Sequence, residues 1–204
     1  MNDRHDFGSL GQKSFKLFHD EIAILIHRYY FQVGSLFFTK DLPRDDVGVV
    51  LHCGDDHFIA FTNILAAVCG RHQVDRLSCT AHVDDLAGVC RKEFDRSDAN
   101  DHLQKANAIA RVLGDQSGFT GNQAEYYDPE NSFIDSVLSE HFGIPVSLSA
   151  IYLLVAQRLD VPLRGVGLPG HFIVLLESAE PLAAYDPFRR GMCLSYLDCI
   201  QLVE

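Results

Sequence analysis

Two side chains in the last third of the sequence can do chemistry together. They are His171, in Pro169-Gly170-His171-Phe172-Ile173-Val174, and Asp186, in Tyr185-Asp186-Pro187. Each sits in a short apolar or β-branched run broken by Gly and Pro, the composition of strands and tight turns. Antiparallel neighbours at this spacing can put a carboxylate on the imidazole Nδ1, which fixes the tautomer and raises the basicity of the ring. Such a pair activates a nucleophile when one lies within reach. Two upstream hydroxyls are candidates, Ser147 and Ser149 in Gly143-Ile144-Pro145-Val146-Ser147-Leu148-Ser149. Ser147, however, falls where a helix takes its N-cap, and the oxygen of a capping serine accepts a backbone N–H, worth ~1 kcal/mol. Capping and packing therefore outweigh nucleophilic chemistry as the reading of both serines.

A further set of residues has the types of a metal site. Cys69-Gly70-Arg71-His72 and Cys79-Thr80-Ala81-His82 are two C-x-x-H pairs close in sequence, and four such ligands brought together can hold tetrahedral zinc. Structural zinc sites favour C-x-x-C, and Cys69 falls on the apolar face of a helical pattern, where a free cysteine behaves as a small buried hydrophobe. The expectation is no metal at Cys69, His72, Cys79 and His82, and no cofactor elsewhere.

The elements that must position His171, Asp186 and the serines follow from periodicity. Leu148 and residues 150–156 are apolar on every face of a helix, and such a helix is buried at the centre of a domain. Pro145 starts it, after Gly143 ends the element before. Asp128-Pro129 can open that preceding helix as N-cap and first-turn proline, with Asn131 as an alternative cap, and Phe133, Ile134, Val137, Leu138 and Phe142 are expected to face the core. Further upstream, Leu103, Ala106, Ala110 and Leu113 line one face of a helix over 101–113, with Gly114 beyond its end as a C-cap. Residues 118–122, Gly-Phe-Thr-Gly-Asn, are turn chemistry.

The N-terminal half reads as mainly helical, with helices over 14–30, 56–69 and 82–94 and extended segments over 31–38 and 47–53. The charged stretch 91–101 marks a boundary, dividing the chain into a mainly helical 1–95 and a core over 96–204. With 47% hydrophobic and 22% charged residues the composition is that of a globular protein. The net charge of −11 argues against nucleic acid or an anionic membrane as partner. The polar start of the chain lacks the apolar stretch of a leader, no run approaches a membrane span, and the six cysteines show no framework. Reduced thiols in a cytoplasm are the natural expectation.

The motif set Gly118-Phe119-Thr120-Gly121-Asn122, Tyr126-Tyr127-Asp128-Pro129-Glu130-Asn131-Ser132, Gly143-Ile144-Pro145-Val146-Ser147-Leu148-Ser149, Gly170-His171-Phe172 and Asp186-Pro187 resembles the transglutaminase-like superfamily, specifically its SirB-type branch. The resemblance implies an α+β fold with a papain-like core, in which a central buried helix packs on an antiparallel sheet. It also implies a Cys at the head of that helix, a His on the next strand and an Asp on the one after. His171 and Asp186 fall on the last two positions. The Cys position falls at or beside Pro145, and no cysteine lies between Cys90 and Cys193. Proline offers neither a nucleophile nor an N–H for an oxyanion. Longer relatives of this type continue into helical repeats, an extension that this chain, ending at Glu204, is expected to lack.

The expectation is thus a soluble bacterial protein whose transglutaminase-like domain is catalytically degenerate and binds an unidentified protein or peptide. The alternative is a hydrolase or acyltransferase using Ser147 or Ser149 with His171 and Asp186. Pro145, Tyr127, Gly170 and Arg164 are expected to line the cleft, Arg164 pairing with Asp186 or Asp160 or standing in solvent. A cysteine brought against His171 from elsewhere, such as Cys53 or Cys193, would restore the missing chemistry.

Overall fold

The apolar run after Pro145 folds as one helix, Pro145–Arg158, in which Pro145 and every residue from Ser147 to Ala156 are buried. The rest of the fold wraps it. The computed structural model describes residues 49–51, 75–168, 170–177, 179 and 183–202, all within the unit Pro43–Glu204. The helices expected over 14–30 and 56–69 and the segment over 31–38 lie outside the described residues, as does 47–53 apart from its centre.

In chain order the described elements are β1 (Val49–Leu51), α1 (Arg76–Ser97), α2 (His102–Arg111), β2 (Thr120–Gly121), α3 (Ile134–Glu140), β3 (Phe142–Gly143), α4 (Pro145–Arg158), β4 (Leu163–Leu168), β5 (His171–Leu176), β6 (Ala183–Asp186), β7 (Met192–Leu194) and α5 (Tyr196–Gln201). Five strands form an antiparallel sheet in the order β1-β4-β5-β6-β7, and β2 and β3 pair in parallel beside it. The fold is α+β. Ile173, Ala184 and Leu194 make a small apolar cluster on the sheet, joined by Val166, Leu168 and Leu175 and by Cys199 and Leu202 from the C-terminal helical segment.

Helix α1 starts earlier than the 82–94 pattern predicts. Asp75 caps it by accepting from Leu77 N at 3.1 Å, and Cys79 extends the buried stripe of Val83, Ala87, Cys90 and Phe94 back by one turn. A cysteine counted as apolar would have shown this. Helix α2 has Asp101 and Gln104 as a capping box. Of the face expected from Leu103, Ala106, Ala110 and Leu113, the last three are buried with Ala108 and Ile109, whereas Leu103 is 44% exposed.

Gly114 is not a C-cap. It lies buried inside a π-helical turn, Val112–Gln116, and a Cβ added there would stand 1.8 Å from the carbonyl oxygen of Arg190. Close backbone approach is what requires glycine at this position. Asp128 and Pro129 do open a helical element, but it is a single 3-10 turn, Pro129–Ser132; α3 starts only after Phe133. Phe133, Ile134, Val137 and Leu138 are buried as the pattern implies, whereas Phe142 is 48% exposed on β3.

One buried charge ties α1 to α2. Glu93 accepts from Arg96 Nε at 2.7 Å and Nη2 at 2.8 Å, and from Arg111 of the neighbouring helix. Two arginines supply the hydrogen bonds and counter-charge that a carboxylate 6% exposed requires. Among the described residues, no helix is long and apolar enough to cross a membrane.

The hydrogen bond from Arg96, with that from Arg111, holds the Glu93 carboxyl below its ordinary range against the opposing effect of burial. A depressed carboxyl adds stability that is present above the unfolded value, about 4.3, and is lost as pH falls through the folded value. Urea unfolding at pH 7 and pH 3 should therefore show an acid-dependent loss of stability, part of which disappears in Glu93→Gln. An unchanged acid dependence in that variant would show that Glu93 does not carry it.

Candidate functional site

The stretches 118–122, 125–132 and 143–149 are far apart in sequence and meet through one buried side chain. Asn131, 3% exposed, donates from Nδ2 to the carbonyls of Glu125 (2.7 Å) and Tyr126 (3.2 Å), and its Oδ1 accepts from Asn122 Nδ2 at 3.0 Å. Its own carbonyl accepts from Ser147 Oγ at 2.6 Å and from Ile144 N at 3.2 Å. A side-chain amide with every group paired in this way fixes three chain segments at once. The sequence places Asn131 as a possible cap; the structure makes it a buried junction.

His171 opens β5 immediately after Gly170, whose φ of +71° closes the turn from β4, with Leu168 paired to His171. Glycine takes that backbone conformation without strain. Asp186 ends β6 and is 0% exposed. The His171 Nε2 lies 2.9 Å from Asp186 Oδ2. The ring nitrogen in contact is Nε2, not the expected Nδ1, so Nδ1 is the one left without a hydrogen bond among the described residues. The other oxygen, Oδ1, accepts from Phe188 N at 3.0 Å, and Arg189 Nε stands 3.6 Å from Oδ2.

Phe188 links this pair to the first motif. Its ring meets that of His171 edge-on at 6.0 Å and that of Tyr126 at 6.0 Å. A Cβ on Gly121 would stand 2.2 Å from the Phe188 ring, so the glycine is the notch into which the ring fits. Neither Phe188 nor Arg189 is picked out by sequence reasoning. Their one signal is position, two and three residues beyond Asp186.

Pro145 is the buried first residue of α4, with Ile144 as N-cap. Ser147 is therefore the third helical residue rather than the cap. Its hydroxyl still serves the backbone, accepting from Ile144 N at 3.1 Å while donating to the Asn131 carbonyl. Ser149, one turn on from Pro145, is 0% exposed and has a single long contact, Oγ to the Phe172 carbonyl at 3.5 Å. That contact sets the early turns of α4 beside the start of β5. No hydrogen bond joins either serine to His171 among the described residues.

The remaining candidates fall elsewhere. Arg164 pairs with Glu177 rather than Asp186 or Asp160, and it faces Leu175 in register, four rungs, or ~13 Å, along the hairpin from His171. Tyr127 is 48% exposed and packs edge-on against Tyr126 at 5.4 Å, so the second tyrosine is an outer neighbour of the one that reaches Phe188. Gly170 is exposed with open space around it. Of the C-x-x-H pairs, Cys69 and His72 lie outside the described residues, as does Cys53. Cys79 is buried and His82 exposed, and the described residues contain no group of three or more His, Cys, Asp or Glu able to hold a metal.

The two buried thiols, Cys79 and Cys90, do not have the surroundings of a nucleophile. Burial, reinforced by Asp135 and Asp75, pushes Cys79 up to about 11, and burial with Glu93 pushes Cys90 up to about 12. A nucleophilic cysteine needs the opposite surroundings. Cys193 is exposed on β7 opposite Tyr185, and Met192 is the residue opposite Asp186.

Residues 78–204 match a family model described as the transglutaminase-like superfamily. A UPF0162 protein of Xylella fastidiosa is 44% identical over 87 residues, 43% of this chain and 31% of the relative. A UPF0162 protein of Vibrio cholerae is 32% identical over 109 residues, 53% of this chain and 40% of the relative. F-box only protein 21 of Mus musculus is 37% identical over 108 residues, 49% of this chain and 17% of the relative. The chain spans less than half the length of each of these relatives. No solved structure matches.

Ser147→Ala removes the hydroxyl between Asn131 and Ile144 while leaving their backbone hydrogen bond in place. It should cost about 1–2 kcal/mol, seen as a lower urea midpoint with an unchanged slope. A neutral substitution would mean that the hydroxyl is not committed to the backbone.

Proposed function

The chain belongs to the transglutaminase-like superfamily, and from that premise we propose that it is a catalytically degenerate member, a binding or regulatory module with its cleft kept and its nucleophile gone. The observation that carries this reading is an imidazole oriented by a buried carboxylate, on a strand packed beside a helix that starts with Pro145, which has no thiol, hydroxyl or N–H. Acyl transfer needs a nucleophile for the base to activate and donors for the oxyanion, and that position supplies neither.

Within this proposal the chain is a member of the SirB-type branch acting in a bacterial cytoplasm on a protein or peptide partner. The free state of Cys79, Cys90, Cys193 and Cys199 supports a reducing compartment. Related stretches in two UPF0162 proteins and in a protein named F-box only protein 21, each longer than the aligned part, support a domain that is combined with others.

Ser149 favours a second reading, a serine-dependent hydrolase or acyltransferase. Its hydroxyl lies beside the residue after His171 and makes only the 3.5 Å contact.

Exposure of the full chain to a fluorophosphonate probe, followed by peptide mapping, separates the two. The degenerate module leaves Ser147 and Ser149 unlabelled, and its His171→Ala variant changes stability or ligand affinity with no turnover to lose. Labelling at Ser149 that vanishes in His171→Ala would replace this reading with the second.

A further inference from the structure

The dyad has a third member whose capacity is unused. Asp186 has one oxygen occupied by Phe188 N at 3.0 Å and the other by His171 Nε2 at 2.9 Å. Arg189 approaches that second oxygen at 3.6 Å, beyond hydrogen-bond length. It supplies counter-charge to a buried carboxylate without committing its fork of five N–H donors. None of these donors has a hydrogen-bond partner among the described residues, and the side chain is 51% exposed.

Its other acidic neighbour does not saturate it. Asp198 is held below its ordinary range first by hydrogen bonds from Ser195, with Arg189 contributing only through its charge. Ser195 N and Oγ occupy Asp198 Oδ2 at 2.8 and 2.6 Å. Beside Arg189 in sequence stands Arg190, also exposed, on a chain whose net charge is −11. Two consecutive exposed arginines next to an oriented imidazole run against the charge of the rest of the molecule.

We propose that Arg189 and His171 form a recognition pair for a carboxylate-bearing ligand, with Arg189 as the specificity-determining residue. The guanidinium fork matches a carboxylate in a bidentate way that a point charge does not. With its Nε2–H given to Asp186, the His171 ring has Nδ1 left as an acceptor, which takes an N–H of the ligand's backbone while the carboxylate lies on Arg189; the Phe188 ring stands edge-on to both His171 and Tyr126 beside it. The ligand class is an acidic peptide side chain. This rests on the reading of the cleft as a binding site, and it holds whether or not a serine there is reactive.

The competing role for Arg189 is that of a plain counter-ion to Asp186, and Arg189→Lys separates the two because lysine keeps the charge and loses the fork. The full chain, isotope-labelled, is titrated with N-acetylglutamate and, in parallel, with its neutral amide N-acetylglutamine, following the His171 and Phe188 signals. The acid should shift both residues and the amide should not. Arg189→Gln and Arg189→Lys should each weaken binding of the acid at least ~10-fold with the remaining spectrum intact, a loss of the size expected for a charge-assisted bidentate contact. Equal responses to acid and amide, no response up to tens of millimolar, or full affinity in Arg189→Lys would overturn the proposal. Fluorophosphonate labelling of Ser149 with acid binding intact would overturn the degenerate reading alone.

Discussion

A carboxylate with no access to water is tolerated only where donors and positive charge surround it. Asp186 meets that condition through two parts of the chain: the imidazole that opens β5, and the turn after β6, which brings both the backbone N–H of Phe188 and the guanidinium of Arg189. The β4–β5 turn at Gly170, the pairing of β5 with β6 and the notch at Gly121 that receives Phe188 all place these donors. The core helix α4 lies alongside, and the site is held by the same contacts that hold the sheet.

At the head of α4 a second set of hydrogen bonds joins distant segments. Ser147 is a hydroxyl at the head of a buried helix, a place where a nucleophile would gain from free backbone N–H groups. Here its oxygen bridges the Asn131 carbonyl and the Ile144 N–H, and Asn131 in turn fixes two further loops. The helix head is thus closed by proline and by an internal hydrogen-bond network.

The central helix and the two strands bearing His171 and Asp186 were legible in the sequence because each has a local signal, an all-apolar run, β-branched segments and glycine punctuation, whereas the α+β class followed from the family resemblance. Features that depend on distant partners were not. Gly114 read as a helix stop because nothing nearby in sequence reveals the Arg190 carbonyl against it. Asn131 read as a cap, and Leu103 as core, for the same reason: periodicity gives the face of an element but not what the opposite element fills. Arg164 was assigned to the cleft by its sequence neighbourhood, yet the hairpin register carries it to the far end beside Glu177. The His171 contact was legible while the choice of ring nitrogen was not, since that depends on the rotamer and the strand twist.

The proposed loss of chemistry rests on one residue at the head of α4, Pro145. Its most direct test is Pro145→Cys, with the rate of alkylation at position 145 followed against pH by peptide mapping. If Pro145 is the residue that removed the nucleophile, the new thiol reacts with a midpoint at least one pH unit below the ordinary ~8.5, and reverts toward this value in the double variant with His171→Ala. A midpoint at or above ~8.5, indifferent to His171, would contradict it.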